Sequence, residues 1–324
     1  MKIALFEGPA KDRPMAALGL LLMGVSFLAL QDSMIKMFAP ATTFWQFQAI
    51  RSVFNLIFIL FLAKASIGIG QLWPNRPWPV FMRALMLTCC MLFFFGAAPQ
   101  ISVSQMAAGL YTYPFFITLM AGPFLGEAIG PWRLAALGLG MAGAFTVLDP
   151  LAEGFRWVQI MPVIAGFFYA LNLLILRRWC RNESPLAIAF IVALVFIIFG
   201  TTGGTIISSL PLAAETRSAV PFLLNVWPEI SLAVLGFCLF ASCLNLTGNI
   251  CLSRAYQTAD SSWLAPADFS YLLFVAIWSR VFYETWPTPQ AATGMAMIAL
   301  AGGVTALRER LRSRVPPALE ARQK

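Results

Sequence analysis

The chain has 324 residues, 60% of them hydrophobic and only 11% charged, whereas a soluble domain carries roughly a quarter of its residues as charges. So much apolar surface needs lipid as its solvent and argues against a water-soluble enzyme. The net charge of +8 comes from basic residues scattered between apolar segments, with no histidine anywhere; this argues against a nucleic-acid surface and against His-based metal or triad chemistry. The six cysteines show no CxxC spacing and read as reduced packing residues, so neither metal nor cofactor is expected.

Taken in chain order, ten apolar segments cover 15–38, 42–62, 80–98, 102–125, 132–148, 158–176, 186–207, 230–250, 262–282 and 290–307. Each approaches the roughly 20 residues that cross a hydrocarbon core of about 30 Å. Pro40, Pro99, Pro131, Pro150, Pro185, Pro228 and Pro287 fall between segments or at their ends, where a missing N–H costs least. The first segment follows Lys2, Lys11 and Arg13 as a signal peptide would, yet it runs to Phe38 through Asp32 and Lys36, so it reads as a retained span. With the N-terminus in the cytoplasm, most Lys and Arg fall on the cytoplasmic side. Both termini are therefore expected there, the last being the basic tail 308–324.

The two halves of the chain resemble each other. Phe27-Leu28-Ala29-Leu30-Gln31 with Lys36 matches Phe168-Tyr169-Ala170-Leu171-Asn172 with Arg177, 141 positions later; Gly126-Glu127 matches Tyr283-Glu284, 157 positions later. The longest connection, 208–228, absorbs the difference. The expected organisation is a tail at 1–14, one five-helix repeat at 15–150, a second at 151–307 and a tail at 308–324. Five spans is an odd number, so the second repeat enters the membrane inverted.

Asp32 and Lys36 in the first segment, Gln48-Ala49-Ile50-Arg51 in the second, and Tyr113-Pro114-Phe115 followed by Leu125-Gly126-Glu127 in the fourth carry a family resemblance. Over nearly its whole length the chain resembles the drug/metabolite transporter superfamily, specifically its ten-helix EamA-type family. The second half departs from the pattern: Tyr271 stands in place of the proline and Tyr283 in place of the glycine, while Glu284 remains. The resemblance implies an all-α integral membrane protein of the bacterial inner membrane with ten transmembrane helices in two inverted repeats. It also implies transport of a small organic metabolite, such as an amino acid, a nucleoside-like compound, S-adenosylmethionine or riboflavin. Alternating access follows from an inverted repeat, since each half can adopt the other's conformation. Expected partners are membrane lipid and the substrate, for a monomer or a homodimer. A lipid-modifying enzyme would need a catalytic cluster near one interface, and a channel would need an open pore; both are retained as alternatives.

Gly138-Leu139-Gly140-Met141-Ala142-Gly143 matches the letters of a dinucleotide-binding loop. It lies inside an apolar segment rather than after a strand, so it reads as helix packing, as does Ala301-Gly302-Gly303. Charges at membrane depth are costly and face a cavity or a partner. Asp32 and Lys36 share a helix face and can pair, and Arg51, about 15 Å into its span, can reach Asp32. Two compatible readings follow: a structural network, or a cavity wall that binds a polar substrate group at Arg51 or exchanges a proton at Asp32. Asp268 is a second embedded acid.

Polar and aromatic residues gather near mid-span: Gln31; Trp45, Gln46 and Gln48; Tyr111 and Tyr113; Tyr169 and Asn172; Asn245 and Asn249; Trp263, Asp268 and Tyr271. An apolar pocket with a few directional polar groups suits an aromatic-bearing metabolite. Pro114 and Pro266 interrupt the helical hydrogen-bond ladder, which membranes tolerate beside a cavity, and mark the fourth and ninth segments as hinges. Glu127 and Glu284, at segment ends on opposite faces, read as caps or gate contacts.

Overall fold

The computed structural model describes residues 14–66, 68–125, 131–151, 155–259 and 261–313, and no strand occurs among them. The α-helices are α1 (Pro14–Phe38), α2 (Phe44–Ala65), α3 (Pro77–Gly96), α4 (Val103–Leu110), α5 (Tyr113–Leu125), α6 (Pro131–Leu148) and α7 (Met161–Trp179). They continue with α8 (Pro185–Ser209), α9 (Ala214–Ala219), α10 (Pro221–Leu224), α11 (Leu232–Thr258), α12 (Ser261–Asp268), α13 (Ser270–Tyr283) and α14 (Pro289–Ser313). Helix starts have local causes. Thr43 accepts a hydrogen bond from the Gln46 amide, Ser231 from that of Val234, and Ser102 forms a capping box with Gln105, each satisfying backbone donors the first turn leaves free.

Among the described residues six helices are long and apolar enough to cross a membrane: Met15–Ala41, Phe44–Ala65, Pro77–Gly96, Trp157–Trp179, Pro185–Ser209 and Leu232–Tyr256. Trp73, Trp78, Trp132, Trp157, Trp179 and Trp286 are exposed at or beyond helix ends, where amphipathic rings anchor a span at the headgroups.

The packing is pairwise. α1 lies on α11, α2 on α8, α3 on α7 and α6 on α14; α13 also leans on α1 and α5 on α7. Small residues set the close approaches. A Cβ on Gly24 would stand 2.7 Å from the Gly248 carbonyl oxygen, and one on Gly143 would stand 2.6 Å from that of Gly294. Gly140 faces Ala301 at ordinary contact distance. The GxGxxG stretch thus works as helix packing between α6 and α14, as expected for small residues in a membrane.

Two predicted segments differ from expectation. The sequence predicts continuous spans over 102–125 and 262–282, but the first is split at Tyr111–Thr112 into α4 and α5, and the second at Phe269 into α12 and α13. Pro114 has no N–H for the Leu110 carbonyl. That carbonyl rests where α7 carries Gly166, on which a Cβ would come within 2.9 Å of the oxygen. At the second break Pro266 sits inside α12 and the chain turns three residues later. Both corners close with a tighter bond, Phe115 N to the Thr112 carbonyl at 3.0 Å and Leu272 N to that of Phe269 at 3.1 Å.

Residues 208–228, expected as a loop, contain α9 and α10 and dock on the ends of the helices. Phe222 is buried against Phe44, and Arg217 donates to the Leu210 and Leu224 carbonyls at 2.9 and 2.8 Å. Gln100 donates to the Ala219 carbonyl and accepts from Arg156. Elsewhere the Glu183 carboxylate accepts the Asn75 and Arg76 amides at 2.9 and 2.8 Å, so the α7–α8 turn caps α3.

Candidate functional site

The two helix breaks meet. The Tyr111 hydroxyl, at the end of α4, donates to the Asp268 backbone carbonyl at the end of α12, 3.0 Å away. Its ring stacks on Tyr271 at 5.3 Å and 17° and sits edge-on to Phe269 at 5.3 Å. Tyr113, the first residue of α5, lies 5.7 Å from Tyr111 and edge-on to Tyr169 of α7 at 5.0 Å. Phe269 keeps its place because α14 has no side chain there: a Cβ on Gly302 would fall 1.8 Å from the ring.

Acids complete the cluster. The Tyr271 hydroxyl donates to Asp32 Oδ2 at 2.7 Å, while Gln31 Nε2 donates to Oδ1 at 2.9 Å. Tyr113 is the hydrogen-bonding neighbour of the Asp268 side chain. Asp32 also feels the charge of Arg51 on α2. Arg51 is buried, with Nη2 donating to Gln48 Oε1 at 2.9 Å and its guanidinium 5.0 Å from the Phe47 ring and 5.9 Å from that of Phe95. An aromatic box with two acids and one cation results, and such a site can stack a flat ring and bind its polar edge.

The structure therefore brings together Gln31, Asp32, Gln48, Arg51, Tyr111, Tyr113, Tyr169, Asp268 and Tyr271, with Pro114 and Pro266 beside the two corners. Asn172 is buried with its Oδ1 unpartnered. Other predicted residues are engaged elsewhere. Lys36 does not pair with Asp32: its Nζ donates to the Ile101 carbonyl at 2.8 Å and hangs over the Tyr283 ring, because the turn before α4 leaves that carbonyl needing a donor. Trp45 donates to the Leu223 carbonyl at 2.7 Å and Gln46 to that of Pro228 at 2.6 Å, so both hold the α8–α11 connection rather than the box. Asn249 is exposed and donates to the Asn245 carbonyl of its own helix. The Trp263 side chain and Glu127 lie outside the described residues, and Glu284 terminates α13 in a left-handed conformation at φ 55°.

Sequence reasoning missed Phe269 and Cys90. Cys90 is fully buried on α3, close to Asp32 and Tyr271. Phe269 had a signal: it lies 157 positions after Thr112, the same offset that relates Glu127 to Glu284. Cys90 had none, since a cysteine in an apolar helix looks like any packing residue.

No family model matches the chain. It is similar to a riboflavin transporter of Rhizobium johnstonii, 27% identical over 93% of this chain and 94% of that one. A riboflavin transporter of Vibrio cholerae is 25% identical over 90% and 92%, and an S-adenosylmethionine uptake transporter of Rickettsia bellii is 23% identical over 76% and 77%. A solved crystal structure shares the fold, with a TM-score of 0.58 at 17% identity over 92% of this chain and 99% of the other. This chain is a membrane transporter of a small organic metabolite. Its apolar helices supply the membrane domain such a protein requires.

Proposed function

We propose that the chain carries riboflavin, or a metabolite with a similar flat heterocycle, across the bacterial inner membrane by alternating access. The observation that carries this reading is the tyrosine box at the facing helix breaks, with amide and guanidinium groups at its edge. The isoalloxazine ring is flat and aromatic, with a hydrogen-bonding dione edge. Offset or edge-on tyrosines add about 0.5–1.5 kcal/mol per ring pair beyond simple burial. Riboflavin transporters among the relatives at near full-length coverage support the same substrate.

For the mechanism we favour ten spans in two inverted five-helix repeats of the EamA type within the drug/metabolite transporter superfamily. Besides the six long helices, the spans are α4 with α5, α6, α12 with α13, and α14. The packing supports this arrangement: α1 on α11 mirrors α7 on α3, and α2–α8 and α6–α14 are self-paired. Broken helices at matching positions of two repeats are where transporters place their substrate.

The test is saturable uptake of labelled riboflavin into liposomes containing the purified protein. Flux no greater than in empty liposomes would overturn the substrate. One observation favours a second reading: Asp32 and Asp268 beside tyrosine faces also suit a cation such as the sulfonium of S-adenosylmethionine. Competition decides between them, because the cation reading requires S-adenosylmethionine to inhibit riboflavin uptake with a Ki below the riboflavin KM.

A further inference from the structure

A crevice of about 460 Å³, counted with its open side, is walled by α5, α6 and α14 and takes in Tyr111 and Phe269 at the two helix breaks. The same two rings wall the tyrosine box, so crevice and box share a partition. The hydroxyls in the crevice wall are already spent. Thr112, Thr118 and Thr305 donate to the Gly109, Pro114 and Ala301 carbonyls at 2.6, 2.8 and 2.8 Å, and Tyr111 donates to that of Asp268. A polar ligand would lose its water there without replacement, whereas an alkyl chain loses nothing. Leu134 and Met141 of α6 are 60% and 49% exposed, so the side on which the crevice opens is apolar as well.

One end of the crevice is basic. Gly143 abuts Gly294, and Gly140 abuts Ala301, so α6 and α14 run antiparallel and the start of one adjoins the end of the other. Arg133 precedes the lining residue Leu137 by one turn, about 6 Å of rise, and Arg308 follows Thr305 by about 4.5 Å. Arg310 and Arg312 come next on α14, and the acids in these two stretches are Glu127 and Glu309. We propose that the crevice is a binding site for an anionic phospholipid, with one acyl chain laid between α5 and α6 and the phosphate at the arginine end. Basic pockets between membrane helices hold anionic headgroups in this way. The chain backs Phe269, which stands in the notch that Gly302 leaves in α14, and so supports the partition from the lipid side. The proposal rests on the reading of α5, α6 and α14 as spans and is independent of the substrate.

The experiment uses the full-length protein in liposomes containing either phosphatidylglycerol or phosphatidylcholine with a photoactivatable group midway along one acyl chain. Labelled residues are located by mass spectrometry. Thr118, Leu137 and Met141 are expected to be labelled about fivefold more strongly by phosphatidylglycerol, while exposed Leu119 and Leu300 are labelled equally by both. Ala136→Phe, which fills the crevice, removes the extra label; Leu134→Phe, on the exposed face of the same helix, keeps it. The surface variant Arg133→Gln/Arg308→Gln leaves the crevice intact and lowers phosphatidylglycerol labelling to the phosphatidylcholine level, which keeps the test valid should Ala136→Phe fail to fold. Equal labelling of the crevice by both lipids, or labelling that survives both Ala136→Phe and the arginine variant, overturns the site. Occupation by a second copy of the chain also overturns it, and is read as unlabelled crevice residues together with a native mass of two chains. Absence of label from Leu119 and Leu300 would instead overturn the assignment of these helices as spans, and the site with it.

Discussion

Asp32 is the residue on which most of the site converges, since Tyr271, Gln31 and Arg51 all act on its carboxylate. A charge at this depth is sustained by such partners. Asp32→Asn is therefore expected to reduce initial uptake rates in liposomes more than Glu127→Gln does; equal, near wild-type rates in both would remove Asp32 from the cycle. Tyr271→Phe keeps the ring stacked on Tyr111 and loses only the hydroxyl. Interhelical hydrogen bonds in membranes average about 0.6 kcal/mol and rarely exceed about 2. A small drop in melting temperature is expected, together with a several-fold rise in the riboflavin Kd as Asp32 loses its orientation. The sequence made Asp32 legible, because a lone acid in an apolar segment stands out. It did not show that Tyr271, 239 positions away, supplies the partner in place of Lys36, because helical spacing reports shared faces and not which face meets which neighbour.

At the scale of elements, the broken helices and the glycines opposite them form one device. Gly302 makes room for Phe269, whereas a Cβ on the adjacent Gly303 meets nothing within 4 Å. Gly302→Ala forces the ring out of its notch and is expected to cost about 1–3 kcal/mol by overpacking. Gly303→Ala relieves a flexible helical position and is neutral to stabilising by up to about 1 kcal/mol. Thermal unfolding of the two purified variants checks the contrast, and equal shifts would show that Phe269 is not held there. The α8–α11 connection is a second element with work to do. Phe222 and Leu223 tie it to Phe44 and Trp45, and Trp45 itself fills a notch that α8 leaves at Gly203, where a Cβ would fall 2.1 Å from the indole. Phe222→Ala is expected to loosen this cover and speed labelling of Cys90 by a membrane-impermeant thiol reagent. An unchanged labelling rate would mean the connection does not restrict access to the box.

At the scale of the molecule, the packing of helices from opposite halves of the chain brings Asp32, Tyr111, Asp268 and Tyr271 to one centre. The proposed topology places the 74–76 turn on the cytoplasmic side and α9 on the outer side. Asn75→Cys should therefore resist an impermeant maleimide added to intact cells, while Ser218→Cys reacts with it. Reaction of both, or of neither until the cells are opened, would contradict the inverted arrangement.

Composition alone determined that this chain lives in lipid, because 60% hydrophobic residues have no other solvent. Segment length and proline placement located its helices, and the 157-position offset already related the two regions where the fourth and ninth segments break. Tertiary structure decided the rest. It split the fourth and ninth segments at Tyr111–Thr112 and Phe269, and it moved Trp45, Gln46 and Lys36 out of the site by giving each a backbone carbonyl to bind. The physical reason is the same in each case. An amphipathic or polar side chain in a membrane goes to the strongest unmet hydrogen-bonding group within reach, and that group is set by how helices distant in sequence are packed.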